Sequence, residues 1–261
     1  MLIKPKKSLG QNFLHDENII NKIINASKIS SNDQVLEIGP GTGNLTRFII
    51  SKRPKKIYVV EKDKSLAEQL ERKYYNKINV IKEDILKIPN EFYSKKRFLI
   101  LGNLPYNIST KILSNWCLND KLNVSKMILM FQKEVAERIL ADVNSREYSR
   151  ITILSKWKFD IHKITEVKPN SFFPKPKINS TVLEFIPKTK IHEIKDPKNL
   201  EKITKVFFSQ RRKMINKPIN ILFKKFHFNY EKFNLHPSDR PQNVDISKYL
   251  RIVNEYESLG S

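Results

Sequence analysis

The stretch Val35-Leu-Glu-Ile-Gly39-Pro-Gly41-Thr-Gly43 decides how the rest of the chain is read. A short strand-like run enters three closely spaced glycines and then an amphipathic stretch, which is the order strand, tight loop, helix. Glycines let the backbone approach a ligand closely, and the N-terminus of the next helix offers unpaired N–H groups. The spacing is Gly-x-Gly-x-Gly, not the Gly-x-Gly-x-x-Gly of the dinucleotide fingerprint. The lysine of a phosphate-binding loop is missing, which speaks against a nucleoside triphosphate. Taken alone, the loop also reads as a purely structural tight turn.

Outward from this loop, short apolar runs predict strands at 34–38, 56–61, 79–82, 98–101 and 127–131. Between them, Leu66, Leu70 and Tyr74 lie four apart on one face of a helix over 65–75, and Val135 and Ile139 repeat the spacing within 134–141. A helix after Ser149 leads into strands near 160–167 and 180–186. The alternation predicts an α/β fold, a sheet covered by helices. The unperiodic stretch 187–197 reads as a linker. Beyond it, 199–208, 213–225 and 245–256 read as helices without strands. The expected division is a catalytic domain over 1–187 and a small all-helical domain over 188–261.

The predicted strand ends carry the chemistry. The second strand ends at Glu61, about twenty residues after the glycines, where an acid suits the two hydroxyls of a ribose. The third ends at Lys82-Glu83-Asp84-Ile85, where Asp84 suits an adenine amine and Ile85 the ring. Singly, Glu61 and Asp84 read as surface carboxylates; at successive strand ends they outline a nucleoside pocket. The fourth strand delivers Gly102-Asn103-Leu104-Pro105-Tyr106-Asn107-Ile-Ser-Thr110. An exocyclic adenine amine is a poor nucleophile because its lone pair is delocalised into the ring. If the Asn103 side-chain oxygen and the Leu104 carbonyl accept its two hydrogens, the lone pair is drawn out toward a methyl donor. Pro105 stiffens the loop and removes a competing N–H, and Tyr106 suits stacking on a base swung out of its surroundings. A proline turn with a core tyrosine is the alternative for the tetrapeptide by itself.

The bulk composition agrees. With 49 Lys and Arg against 27 Asp and Glu in 261 residues, the formal charge is +22. That charge is spread along the chain and favours a polyanionic partner, with a compositional bias toward Lys, Asn and Ile as the competing explanation. The single cysteine, Cys117, excludes an intrachain disulfide. His15, His162, His192, His227 and His236 lie far apart, and no metal site is expected. The basic start, Met1 to Lys7, lacks the apolar core of a signal peptide, and no run has the length of a membrane span. The expected location is the cytoplasm, with no membrane partner.

The motifs just quoted, together with Gly10-Gln-Asn12-Phe-Leu14-His-Asp16, Leu129-Met-Phe-Gln-Lys-Glu-Val135, Phe172-Phe-Pro174-Lys-Pro176-Lys-Ile-Asn-Ser180, Phe208-Ser-Gln-Arg211-Arg-Lys213 and Arg240-Pro-Gln-Asn243, resemble the KsgA/RsmA-type ribosomal RNA adenine dimethyltransferases of the small subunit. The resemblance runs from Lys7 to about Ile252. It implies a Rossmann-like class I methyltransferase sheet of seven mostly parallel strands with a helical C-terminal domain, and S-adenosylmethionine as cofactor. It further implies that Asn12 and Leu14 close over the cofactor, that Gly39 and Gly41 hold its methionine part, Glu61 its ribose and Asp84 its adenine. Asn103 would touch both cofactor and target amine. Phe172 would stack on the target base opposite Tyr106, with a core phenylalanine as its alternative. Glu37 would support the glycine loop from beneath, or touch the cofactor. The implied substrate is a pair of adjacent adenosines near the 3′ end of small-subunit rRNA in the assembling 30S particle, each taking two methyl groups, with the enzyme acting as a monomer. Arg211, Arg212 and Lys213, with Lys217, Lys224 and Lys225, are candidates to grip rRNA phosphates, and Pro218 is expected to interrupt or bend the helix there. A large-subunit adenine methyltransferase, a non-catalytic assembly or transcription factor and a small-molecule methyltransferase are the rival readings.

Overall fold

In the computed structural model, which describes residues 5–6, 9–224 and 226–259, the chain begins with strand β1 (Phe13–Leu14) and helix α1 (Glu17–Ser27). The apolar runs form β2 (Gln34–Ile38), β3 (Lys56–Val60), β4 (Asn79–Ile81), β5 (Phe98–Asn103) and β6 (Val124–Gln132). Helices α2 (Asn44–Ser51), α3 (Lys64–Lys73), α4 (Asn90–Ser94) and α5 (Ser109–Leu118) connect them. Helices α6 (Lys133–Leu140) and α7 (Arg150–Lys158) precede β7 (Phe159–Val167), β8 (Phe172–Phe173) and β9 (Ser180–Pro187). Helices α8 (Pro197–Phe208), α9 (Asn216–Leu222) and α10 (Ile246–Ser258) follow.

Seven strands form one sheet in the order β4-β3-β2-β5-β6-β9-β7. The pairs β3–β4, β2–β3, β2–β5 and β5–β6 are parallel, and β6–β9 is antiparallel. Strands covered by helices on both faces need continuous apolar runs, not alternation. Val35, Leu36 and Ile38 of β2 and Phe98 to Leu101 of β5 are accordingly all buried. One face packs Ile20, Ile23 and Ile24 of α1 against Val35, Leu99, Leu101 and Ile128. The chain runs from β2 outward through β3 to β4 and then crosses back to β5, so the strand order reverses beside β2. Such a switch point leaves a crevice at the carboxyl ends of the strands.

A small ribbon escaped the sequence reading. β1 pairs antiparallel with β8, Phe13 opposite Phe173 and Leu14 opposite Phe172. Side chains alternate along a strand, so Leu14 and Phe172 share the buried face and Phe173 lies on the other.

The chain forms two compact units, the first comprising described residues up to Leu113, Lys121–Ala136 and Asp160–Pro187, and the second Ser114–Asp120, Glu137–Phe159 and the described residues from Lys188. Helix α7 thus groups with the C-terminal helices, and α6 is divided between the two units. Within the second unit α8 packs on α7, α9 and α10. The Glu257 carboxylate accepts from the Lys195 and Asp196 N–H groups at 2.8 and 2.9 Å, just ahead of α8. Helix α8 begins inside the expected linker because Asp196 caps it through the Lys198 N–H (2.9 Å) and Pro197 suits a first turn. The helix expected over 213–225 shrinks to α9, preceded by turns. Pro218 sits in its first turn, where the missing N–H has no carbonyl to serve. Among the described residues no helix is long and apolar enough to cross a membrane.

Asp16 begins α1: its Oδ1 accepts the Asn18 and Ile19 N–H groups at 3.0 and 3.3 Å, and its Oδ2 the Ser171 hydroxyl at 2.8 Å. The Ser171 bond, reinforced by the two backbone bonds against burial, holds its pKa below 3.8. Asp16→Ala is expected to cost about 1–2 kcal/mol near neutral pH. A folded-state pKa below the unfolded one stabilises above the unfolded value and is lost as pH falls through the folded value. The difference in unfolding free energy between the two proteins, followed by denaturant titration, should therefore hold down to about pH 3.8 and shrink below it.

Candidate active site

The register that sets Ile38 beside Val60 and Gly102 brings three strand ends to one level. The loops that follow meet over a cleft that opens to solvent at its mouth. The glycine loop forms its floor. Gly39 donates its N–H to the Val60 carbonyl at 3.0 Å. Gly41 has φ +56°, and a Cβ there would sit 2.7 Å from Cδ1 of Phe13. Only glycine satisfies both the left-handed backbone and the close approach of the β1 segment.

Two acids hold the loop. Glu61, 7% exposed, accepts the Gly41 N–H on Oε2 at 3.1 Å and the Asp63 N–H on Oε1 at 2.9 Å. Burial raises its pKa, and these backbone donors offset only part of the rise. Glu37 is buried in β2 and accepts the Thr46 hydroxyl of α2 at 2.7 Å. Burial pushes its pKa up to about 8, with Thr46 opposing and Glu61 adding to the rise. Glu37 therefore carries its proton at neutral pH and ties β2 to the helix beyond the glycines. It also reaches the cleft wall.

Asp84 and Ile85 line the cleft at the end of β4. Asp84 accepts the Leu86 N–H on Oδ1 at 3.0 Å, and its Oδ2 meets Lys62 Nζ at 2.9 Å. Burial alone would raise its pKa, but these donors hold it below the ordinary range. A backbone cradle, a carboxylate at each of two neighbouring strand ends and an apolar wall fit a nucleoside-bearing cofactor.

Asn103 ends β5. Its Nδ2 donates to the Asn12 carbonyl at 2.8 Å, which fixes the amide plane and leaves Oδ1 as an acceptor. Leu104 is buried, and Tyr106 lines the cleft with its hydroxyl sharing a 2.6 Å hydrogen bond with Ser180 Oγ of β9. Burial raises the Tyr106 pKa, so the phenol stays neutral.

The N-terminal segment closes one side. Asn12 Nδ2 donates to the Gly10 carbonyl at 3.3 Å, and Asn44 Nδ2 to the Leu14 carbonyl at 2.8 Å. Gln11 Nε2 and Lys6 Nζ both reach Asp63 Oδ2, at 3.1 and 2.9 Å. Sequence reasoning missed Asp63, which also caps α3 through the Ser65 N–H at 3.1 Å. The available signal was an Asp-x-Ser cap directly after a strand end. Gln11, Thr46 and Ser180 gave no local signal, because their partners lie elsewhere in the chain.

The structure gathers Asn12, Leu14, Gly39, Gly41, Glu61, Asp84, Asn103, Leu104 and Tyr106 around one cleft. It does not bring Phe172 there. Expected to stack on the target base, Phe172 is 1% exposed and packs in the core with Leu14, while Phe173 beside it is 61% exposed. Alternation in the β1–β8 ribbon is the reason. Among the basic candidates of the second unit, the Arg211 guanidinium donates to the Arg146 carbonyl and to Gln242 Oε1 at 3.4 Å, so it braces its own unit. Arg212, Lys213, Lys217 and Lys224 are exposed; Lys225 lies outside the described residues.

Comparison with known proteins bears on this site. The profile of the family described as "Ribosomal RNA adenine dimethylase" matches residues 3–258. The "Ribosomal RNA small subunit methyltransferase A" of Pelagibacter ubique is 51% identical over 99% of both chains. The protein of the same name from Wolbachia pipientis wMel is 37% identical, over 99% of this chain and 91% of the other. Among solved structures, a dimethyladenosine transferase from Plasmodium falciparum superposes with a TM-score of 0.78 at 28% identity, covering 95% of this chain and 98% of that one. The 23S rRNA methyltransferase ErmE gives 0.69 at 23% identity, covering 94% and 100%, a likeness of fold.

The protonated Glu37 sets a pH signature. A carboxyl whose pKa is raised in the folded state holds a proton that unfolding releases, so stability falls as pH rises between the unfolded and folded values. Glu37→Gln keeps an acceptor for Thr46 and has no proton to lose. Its melting temperature relative to the parent should rise steadily from about pH 4.5 to about 8 and then level off. A difference independent of pH would mean that Glu37 is ionised in the folded protein.

Proposed function

The chain belongs to the ribosomal RNA adenine dimethylase family, and from that premise we propose that its cleft binds S-adenosylmethionine and one target adenosine at a time. It transfers two methyl groups to N6 of each of two adjacent adenosines in a hairpin loop near the 3′ end of small-subunit rRNA. The assembling 30S particle is the working substrate, the protein acts as a monomer, and the cytoplasm is its place of work. The observation that carries the reading is the Asn103 amide, locked by the Asn12 carbonyl with its oxygen left to accept.

The backbone of Gly39 and Gly41 holds the methionine part of the cofactor, Glu61 the ribose hydroxyls, and Asp84 with Ile85 the adenine. Asn12 and Leu14 close the near side. When bound, S-adenosylmethionine supplies a methyl group already activated by its sulfonium. The protein's task is then positioning, which converts a two-body encounter into a step between held partners. Asn103 Oδ1 and the Leu104 carbonyl accept the two amine hydrogens, restore lone-pair character to N6 and aim it. Tyr106, anchored by Ser180, stacks on the extruded base. The amine attacks neutral, so no general base is needed at the start, and the proton leaves afterward to water. For the second transfer the monomethylated amine turns in the open part of the cleft beside Asn103. An unpaired loop base is cheaper to extract than a stacked one. The relatives named for the small subunit support that substrate over the large-subunit alternative.

With methyl-labelled cofactor and unmethylated small subunits, label should appear as dimethyladenosine at two adjacent positions of the small-subunit RNA and not in large-subunit RNA supplied alongside. Label confined to large-subunit RNA would overturn the substrate assignment. Asn103→Ala should lower the transfer rate by about a hundredfold or more while leaving cofactor binding by calorimetry largely intact. An equal loss of cofactor affinity would contradict the assigned role.

A further inference from the structure

At the amino ends of β3 and β4, the ends remote from the cleft, the turn after α3 splits a pair of tyrosines. Tyr74 points inward, its hydroxyl donating to the Gly43 carbonyl at 3.0 Å. The Lys77 N–H closes the turn on the Tyr74 carbonyl at 2.9 Å, and Asn76 takes the left-handed conformation with φ +59°. Asparagine tolerates that conformation, and the turn leaves Tyr75 77% exposed, more than any other exposed large hydrophobic side chain among the described residues. Tyr75 stands in an open, shallow groove whose lining includes Lys55, Lys56, Arg72, Asn76 and Lys77.

The charge in this groove is uncompensated. Its one carboxylate, Glu71, is paired with Lys82 at 2.7 Å. Lys55, Lys56, Arg72 and Lys77 are exposed, and none has a carboxylate partner among the described residues. An open aromatic face ringed by free cations is what single-stranded nucleic acid needs: a π-surface for a base and positive charge for the phosphates on either side. The groove is too shallow to enclose a small molecule. The groove's lining extends to Ile57 and Val80 and the cleft's includes Val60 and Glu83, so about 10 Å of strand lies between them.

We infer that this groove is a second RNA-docking surface, stacking an unpaired rRNA base on Tyr75 and taking its flanking phosphates on Lys55, Lys56, Arg72 and Lys77. The inference rests on the rRNA-substrate reading above. The RNA it holds lies outside the target adenosines, so it strengthens capture of the subunit without entering the chemistry.

The test uses the full chain as wild type, Tyr75→Ala and the double variant Lys55→Glu with Lys77→Glu. Binding to unmethylated small subunits and to protein-free small-subunit RNA is measured across salt concentrations, beside melting temperature, cofactor affinity and turnover at saturating subunits. Tyr75→Ala should weaken both RNA-containing ligands about five- to hundredfold. The double variant should flatten the slope of log affinity against log salt by about 0.7 for each cation lost. Melting temperature, cofactor affinity and saturating turnover should stay at wild-type values. Wild-type affinity and salt slope in both variants would overturn the groove while leaving the enzyme's function standing. A loss seen with subunits but not with protein-free RNA would assign the groove to an acidic protein and overturn the RNA assignment. A loss that accompanies a lower melting temperature and weaker cofactor binding would make Tyr75 structural. A wild-type protein that binds neither ligand would overturn the functional reading and the groove with it.

Discussion

The parallel register of β2 with its two neighbours is the constraint on which the rest depends. Because Ile38 lies level with Val60 and with Gly102, Gly39, Glu61 and Asn103 leave the sheet at one height. A slip of a single residue in either pairing would turn every following side chain to the other face. The glycine loop would then lose the Glu61 carboxylate that accepts the Gly41 N–H, and Asn103 would lose the Asn12 carbonyl. The apolar runs of β2, β3 and β5 are buried between helices and hold the strands in place, while the loops that follow them line the cleft.

The electrostatics follow from the same arrangement. Burial raises the pKa values of Glu37 and Glu61, whereas Asp63, itself buried, and Asp84 are held low by donors. For Asp63, the bonds from Lys6 and Gln11 outweigh burial. Glu37 and Glu61 thus brace the glycine loop, while Asp63 holds Lys6 and Gln11 and Asp84 the turn after β4. The Asn103–Tyr106 loop contains no ionised group, since burial raises the pKa of the Tyr106 phenol.

Much of this was legible in the sequence because it rests on local pattern. Five of the seven strands of the main sheet announce themselves as short apolar runs, and the glycine loop, Glu61, Asp84 and the Asn103–Tyr106 turn follow strand ends directly. What was not legible depends on contacts between distant segments. Phe172 and Phe173 are chemically identical neighbours, and only their pairing with Leu14 and Phe13 decides which one is buried. The clasp of Lys6 and Gln11 on Asp63 joins residues more than fifty positions apart. Arg211 belonged to a basic run read as gripping rRNA phosphates, yet its guanidinium is taken up by the Arg146 carbonyl. The grouping of α7 with the C-terminal helices likewise arises from tertiary packing, which no local period records.

The central claim is that the Asn103 amide works through both its ends, the nitrogen fixing its plane on Asn12 and the oxygen drawing on the target amine. Asn103→Asp separates the two, because a carboxylate keeps the acceptor but has no hydrogen to give the Asn12 carbonyl. The measurement is single-turnover methyl transfer to unmethylated small subunits at saturating cofactor, with cofactor affinity determined in parallel. The expected result is a rate lower by about a hundredfold or more at nearly unchanged cofactor affinity. A rate equal to that of the parent protein would show that an acceptor alone suffices and that the lock on Asn12 is not part of catalysis.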